Sequence, residues 1–249
     1  MSPSDYSRSF LEPKLVATYE KFYQQGTADE AIWSIEREFL EEFYARNKHR
    51  WPNCSYLDFA CGTGRVIAFM EPLVERSCGV DISPYMLEAA RAKVSASELI
   101  CADITAEKST ERTYDLITAF RFFLNAEPGL RRRVMKCLAQ RLKNEDSRLI
   151  FSNHGNPWSY KAIAWPFHRF RQLVFGRKAA GNYLTHREIE RLVSQANLVI
   201  VERFGCGVIS PKFFNLAPSY ARRAERSIGV KRFAGRMGVN QLYVVKRPQ

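Results

Sequence analysis

The sequence predicts an α/β fold: an open sheet with helices on both faces. Three features predict it. From residue 54 onward, short apolar runs alternate with stretches whose apolar residues recur at helical spacing. Those runs are rich in Val, Ile and Leu on successive residues, as strands covered on both faces are. A Gly-x-Gly turn stands where the first run hands over to the first helical stretch. The 249 residues suit one large domain or two small ones.

Residues 12–50 read as helices. Ile32, Ile35, Phe39, Leu40 and Phe43 form a helical stripe, and the turn signal Trp51-Pro-Asn53 ends the region. Cys54–Ala60 is the first strand, Thr63–Glu75 a helix and Ser77–Ile82 the second strand. Pro84–Ser95 is a helix with proline in its permitted first turn. Glu98–Ala102 and Tyr114–Phe120 are strands, Glu127–Lys143 a helix and Arg148–Ser152 a fifth strand. Thr185–Ala196 is a helix opened by a capping-box pattern, Thr185 with Glu188. Leu198–Phe204 and Gln241–Val245 complete the strands. Residues 1–53 are expected as an N-terminal helical cap on a domain spanning 54–249. Residues 154–184 and 205–239 are too long for plain connections and read as insertions.

The net charge of +12 is unevenly placed. Residues 1–153 carry 21 Lys+Arg against 22 Asp+Glu, and residues 154–249 carry 17 against 4. That asymmetry fits an anionic partner or a solvated basic face. In the insertions, Ile163, Phe167, Phe170 and Val174 share a helical stripe among Arg169, Arg171 and Arg177. Ala217, Ala221, Ala224 and Ile228 alternate with arginines, and so do Val230, Phe233, Ala234 and Met237. Basic amphipathic helices of this kind lie on anionic membranes or close over a substrate. No apolar run approaches the 18 residues of a spanning helix, and residues 1–5 lack a signal-peptide pattern. A cytoplasmic protein is expected, with peripheral contact to the inner membrane face as an option. The six cysteines show no metal-ligand spacing, so no metal is expected.

Tyr56-Leu-Asp-Phe-Ala-Cys-Gly-Thr-Gly-Arg65 carries the chemistry. Gly62 and Gly64 allow a tight turn and close ligand approach, and the helix behind them offers free N–H groups. Asp81 ends the second strand about 20 residues later, where a carboxylate accepts from ribose hydroxyls or caps the next helix. A dinucleotide fingerprint asks for Gly or Ala at Ile67, which disfavours a nicotinamide enzyme.

Four segments resemble, in order, the motifs of class I S-adenosylmethionine-dependent methyltransferases. They are Asp58-Phe-Ala-Cys-Gly-Thr-Gly64; Gly79-Val-Asp-Ile-Ser83 with Met86-Leu-Glu-Ala-Ala-Arg91; Cys101-Ala-Asp103; and Tyr114-Asp-Leu-Ile-Thr-Ala-Phe120. The resemblance runs from about residue 54 to 153. It implies a Rossmann-like seven-stranded sheet ending in an antiparallel strand, with S-adenosyl-L-methionine across the strand ends. On that resemblance Asp58, Ala60, Cys61, Gly62 and Gly64 hold the amino-acid end. Asp81 takes the ribose. Ile82, Met86, Ala102 and Ile104 wall the adenine, or are ordinary core, and Asp103 accepts from its amino group. Phe120 follows the fourth strand, and Tyr23 of the cap closes over the cofactor or packs with Tyr19 and Trp33 on the sheet.

The ends of the fourth and fifth strands should face the methyl group. Arg121 there holds the cofactor's carboxylate or an anionic acceptor, and Phe122 and Phe123 line the acceptor pocket, with one of the two expected in the core. His154 is the general-base candidate, because imidazole takes a proton near neutral pH. Asn156 and Trp158 complete the expected acceptor site. The acceptor is expected to be a small molecule, glycan or lipid-linked compound, methylated at oxygen. The rivals are a non-catalytic cofactor-binding protein and an RNA methyltransferase. The latter is disfavoured because Phe120-Arg-Phe-Phe stands where base-amino enzymes carry an Asn/Asp-Pro-Pro-Tyr/Phe motif.

Overall fold

The computed structural model describes residues 14–24, 26–105, 112–159, 183–209, 218–229 and 234–248. One sheet holds β1 (Ser55–Phe59), β2 (Arg76–Asp81), β3 (Glu98–Cys101), β4 (Leu116–Ala119), β5 (Arg148–Asn153), β6 (Val199–Cys206) and β7 (Asn240–Lys246). Across the sheet the order is β3-β2-β1-β4-β5-β7-β6. The first five strands are parallel, and β7 runs antiparallel to both β5 and β6. The helices are α1 (Lys14–Phe22), α2 (Ala28–Asn47), α3 (Arg65–Met70), α4 (Pro84–Arg91), α5 (Pro128–Gln140), α6 (His186–Ser194) and α7 (Pro218–Gly229).

Alternate strand residues feed two apolar layers. Leu57, Ile117, Leu149, Phe151 and Tyr243 pack with Val134, Met135 and Leu138 of α5 and with Ile189 and Val193 of α6. Tyr56, Leu116, Ile150, Leu242 and Val244 face the other way, onto Phe39, Leu40 and Phe43 of α2, Ile67 and Met70 of α3, and Leu87 of α4. Because the side-chain period of a strand is two, continuous apolar runs of this kind require helices on both faces. The stripe on α2 is therefore built into the domain core, while α1 lies over the end of the sheet where the site forms.

Two elements differ from the sequence expectation for physical reasons. The helix expected over Thr63–Glu75 stops at Met70 and continues as a 3-10 turn, Glu71–Leu73. Pro72 lacks the N–H that another α-helical turn would need. The helix expected around Val230–Met237 is, in its described part, the 3-10 turn Ala234–Met237. There the backbone runs against β6: a Cβ on Gly238 would sit 2.5 Å from the Cys206 carbonyl oxygen. The stripe expected over Ile163–Val174 lies outside the described residues. At Thr185 the capping box forms as the spacing predicts. Among the described residues no helix is long and apolar enough to cross a membrane.

From β1 the chain works outward to β3, then returns to lay β4 on the other flank of β1. At such a reversal the flanking loops part, and a crevice opens at the carboxyl ends of the strands. The β1–β4 seam carries a buried chain of hydroxyls. Tyr56 Oη and Thr118 Oγ1 lie 2.5 Å apart, and Thr118 Oγ1 donates to Asp58 Oδ1 at 2.7 Å.

Candidate active site

The crevice begins with three left-handed residues at the end of β1: Ala60 (φ 54°), Gly62 (φ 54°) and Gly64 (φ 81°). For alanine this conformation costs about 1–2 kcal/mol, so neighbouring bonds must hold it. Cys61 N–H donates to the Val80 carbonyl at 3.1 Å, and Gly62 N–H donates to Asp81 Oδ2 at 2.8 Å. The other oxygen, Asp81 Oδ1, accepts from Ser83 N–H at 2.9 Å. Burial pushes the Asp81 carboxyl up, and these N–H groups oppose it. At Gly64 a Cβ would lie 2.9 Å from Ala90 Cβ, so only glycine lets α3 approach α4. At Gly62 a Cβ would meet nothing within 4 Å, which leaves space on the crevice side for a ligand.

A first cavity is lined by Ala60, Gly62, Asp81, Ile82 and Met86. Ala102, Asp103, Ile104, Phe120 and Arg121 continue its wall, with Tyr19, Phe122 and Asn125. Asp103 Oδ1 accepts from Thr105 N–H and Oγ1 at 2.8 and 2.7 Å, which fixes the carboxylate at the rim. A second cavity adjoins the first and shares Tyr19, Met86, Arg121 and Asn125 with it. Thr18, Phe22, Tyr23, Asp29 and His154 complete it.

Backbone geometry aims the polar groups of the second cavity. Arg121 leaves β4 with φ 60°, held by its N–H donating to Ser152 Oγ at 2.7 Å on β5. Its carbonyl accepts from Asn125 Nδ2 at 2.9 Å, and its Nη2 donates to Asp29 Oδ1 at 3.2 Å. Burial disfavours the Arg121 charge, but Tyr23, Glu36 and Asp29 outweigh it and hold the guanidinium above its ordinary pKa. His154 follows β5 directly. Asn153 brackets it, with Oδ1 accepting from Gly155 N–H at 3.1 Å and Nδ2 donating to the Leu184 carbonyl at 2.7 Å.

Several expected site residues sit elsewhere. Asp58 is 1% exposed and lines neither cavity. Its oxygens accept from Thr118 and from Ile67 N–H at 3.1 Å, so it fixes the first turn of α3. Cys61 and Gly64 belong to the turn and line neither cavity. Phe123 is wholly buried, packed edge-on to Phe122 and Phe151, and Phe122 takes the cavity wall instead. Asn156 is spent on chain ties. Its Nδ2 donates to the Arg236 and Gly238 carbonyls at 2.8 Å, and its Oδ1 accepts from Trp158 N–H. Trp158 is 73% exposed and lines neither cavity. Tyr23 lines the second cavity and stacks on Arg65, with the guanidinium carbon 4.2 Å from the ring centroid.

Sequence reasoning assigned no role to Asn125, Asp29, Arg65 or Glu36. Glu36 is fully buried, accepts from Asn240 Nδ2 at 3.0 Å and lies 3.8 Å from Arg65 Nη1. Burial pushes its carboxyl up, against Arg121 and Arg65. Its signal was legible: it is a charge within the apolar stripe of α2, three residues before Phe39.

Asp58 yields a stability test. Burial pushes its carboxyl up from 3.8 to about 7, against the Thr118 hydroxyl, Arg65 and the Ile67 N–H. The folded state therefore holds a proton that the unfolded chain releases near 3.8. This contribution is full below that pH and is lost as pH rises through about 7. Asp58→Asn should remove on the order of 2–4 kcal/mol of pH-dependent loss between pH 4 and 8 in urea unfolding, beside a constant loss of the Ile67 bond. Parallel stability–pH curves for the two proteins would contradict this.

Residues 57–145, from β1 to the loop before β5, match a family model described as a methyltransferase domain. Magnesium protoporphyrin IX methyltransferase from Synechocystis, with bound SAH, superposes at a TM-score of 0.65. The identity is 12%, and 97% of each chain is covered. An S-adenosylmethionine-dependent methyltransferase from Clostridium acetobutylicum superposes at 0.55, with 19% identity over 86% of this chain and 91% of that one. Mitomycin 7-O-methyltransferase superposes at 0.53, with 14% identity over 79% of this chain and 50% of that one. At these identities the likeness is one of fold. No curated protein sequence matches the chain.

Proposed function

We propose that this chain, whose residues 57–145 match a methyltransferase domain, is a class I S-adenosylmethionine-dependent methyltransferase that methylates an oxygen of a small-molecule, glycan or lipid-linked acceptor bound in the second cavity. One observation carries the reading. The two cavities share a wall, and the second contains an imidazole, His154, beside a guanidinium held in place, Arg121.

The first cavity fits the cofactor on its own chemistry. Open space beside Gly62 admits a ligand, Asp81 and Asp103 offer acceptor oxygens, and Ile82, Met86, Ile104 and Phe120 give apolar walls. When bound, S-adenosylmethionine supplies an electrophilic methyl on a sulfonium sulfur. Asp58, buried behind the turn, acts through the loop rather than on the ligand. Tyr23 acts from the second cavity.

The chain's task is to position a nucleophile, remove its proton and keep water out. Tyr19 and Phe22 of α1, Tyr23 directly after it and Met86 of α4 supply apolar walls for a compact acceptor. Asn125 and Arg121 orient its polar groups. His154 takes the hydroxyl proton, the step for which an alcohol, unlike a neutral amine, needs a base. The basic surplus of residues 154–249 supports an acceptor that is anionic or presented at an anionic membrane, touched peripherally.

An acceptor found by screening with labelled cofactor makes the base testable. His154→Ala should lower kcat by roughly 10²–10⁴-fold with S-adenosylhomocysteine affinity unchanged in calorimetry. Undiminished turnover would overturn the assignment. Anionic vesicles or raised salt should change KM for the acceptor while leaving that affinity alone. A KM indifferent to both would remove the anionic-acceptor reading.

A further inference from the structure

A third cavity lies along β6, the strand at the edge of the sheet, and shares no lining residue with the other two. One irregularity decides which side chains face it. β6 pairs with β7 through a bulge at Val201: Ile200 stands opposite Val245, and Glu202, not Val201, stands opposite Val244. One extra residue in a strand sends the side chains that follow it to the other face. Glu202 therefore falls on the α2 face, where it pairs with Arg46 at 3.1 Å. Arg203 falls on the α6 face, opposite Tyr243.

On that face one buried amide places two guanidinium groups. Gln241 is 1% exposed. Its Oε1 accepts from Arg203 Nε at 2.7 Å, and its Nε2 donates to the Gly235 and Gly238 carbonyls at 2.8 and 2.7 Å. Those carbonyls bracket Arg236 in its 3-10 turn, so the amide that fixes Arg203 also fixes the backbone carrying Arg236. The Arg203 guanidinium carbon lies 5.6 Å from the Tyr243 ring centroid, and the His186 ring stacks on the same tyrosine at 5.6 Å. His186 is engaged at both nitrogens: Nδ1 lies 3.2 Å from Tyr243 Oη and Nε2 lies 3.3 Å from Glu190 Oε1. The Nη groups of Arg203 and the whole Arg236 guanidinium make no hydrogen bond among the described residues. Glu190 is the carboxylate whose charge reaches both Arg203 and His186. The other acids of the cavity are placed elsewhere. Glu38 and Glu42 stand on α2, across the strand, and Glu225 accepts from the Val208 and Ile209 N–H groups at 2.8 and 2.9 Å.

We propose that Arg203 and Arg236 form a separate ligand site, apart from the first two cavities, for the phosphate group of a phosphate monoester. A guanidinium fork pairs with two oxygens at once. Two forks arriving from a strand and a turn suit a tetrahedral group with three terminal oxygens better than a planar carboxylate with two. Gln241 is the positioning residue for both arginines. The cavity holds about 1050 Å³, which leaves room for the organic part of an ester. A lipid head group and a soluble ester share this chemistry. The site stands whatever acceptor the second cavity takes.

Inorganic phosphate is the probe, and the His186 ring, read by NMR in the full chain and assigned by its loss in His186→Gln, is the local reporter. Burial and the charges of Arg203 and Arg236 hold the His186 pKa below its ordinary value, against Glu190. An anion on the two arginines cancels their charge, so phosphate should move the His186 midpoint saturably to higher pH. In Arg203→Met and in Arg236→Met the phosphate needed for half that movement should rise by about tenfold or more. S-adenosylhomocysteine affinity in calorimetry should be unchanged in both. Arg236 is at the surface, so its variant stands if Arg203→Met does not fold. Sedimentation with phosphatidylcholine vesicles containing phosphatidic acid separates the two sources. Binding that Arg236→Met abolishes makes the source a lipid head group; no binding, or binding that survives the substitution, makes it a soluble ester. A His186 midpoint that phosphate leaves in place, or a half-point unchanged in a folded Arg236→Met, overturns the site.

Discussion

The site depends on one backbone constraint: three left-handed residues within five at the end of β1, in a turn held by the Asp81 carboxylate. The Gly62 N–H bond to Asp81, with the Cys61 N–H bond to the Val80 carbonyl, compensates the strain at Ala60. Without glycine at position 64, α3 could not pack against α4. The turn sits where the sheet order reverses, so the crevice it opens lies between two diverging loops. Asp58 and Thr118 then lock β1 to β4 beneath it.

A second kink does for the second cavity what the first does for the first. Arg121 leaves β4 left-handed, pinned by Ser152 on the next strand, and this turns its side chain toward α1 and the start of α2. Strain is thus placed at the carboxyl ends of β1 and β4, the two strands at the reversal. The charges gathered there are closely balanced: Arg65 and Arg121 face Asp29 and Glu36, with the Tyr23 ring beside both cations.

Much of the architecture was legible because it rests on local pattern. The strands are apolar runs, the helices show stripes, and the glycine turn and Asp81 stand at readable spacing. Most of the first cavity's lining follows from those motifs, from Ala60 through Asp81 and Met86 to Ile104 and Phe120. What escaped depends on contacts distant in sequence. Phe122 and Phe123 are adjacent aromatics of which one was expected in the core, but which of them faces the first cavity was not legible. Asn156 looked like an acceptor ligand, yet a backbone segment 80 residues on takes its amide. Asp58 looked like a ligand because it precedes the glycines, but the β1–β4 register turns it onto Thr118. Glu36 could have been found, since a carboxylate on a buried helical stripe needs a cation, and Arg65 supplies it.

In the proposed reading, cofactor and acceptor meet across the wall shared by the two cavities, and Met86 lies in that wall. With the methionine methyls labelled with carbon-13, Met86 is distinguishable from Met70 and Met135, which are buried in the apolar layers, and from exposed Met237. Titration with S-adenosylhomocysteine should shift the Met86 resonance and leave those three in place. The methylated product should then shift Met86 again. A Met86 signal unmoved while S-adenosylhomocysteine binds would put the cofactor elsewhere and contradict the account.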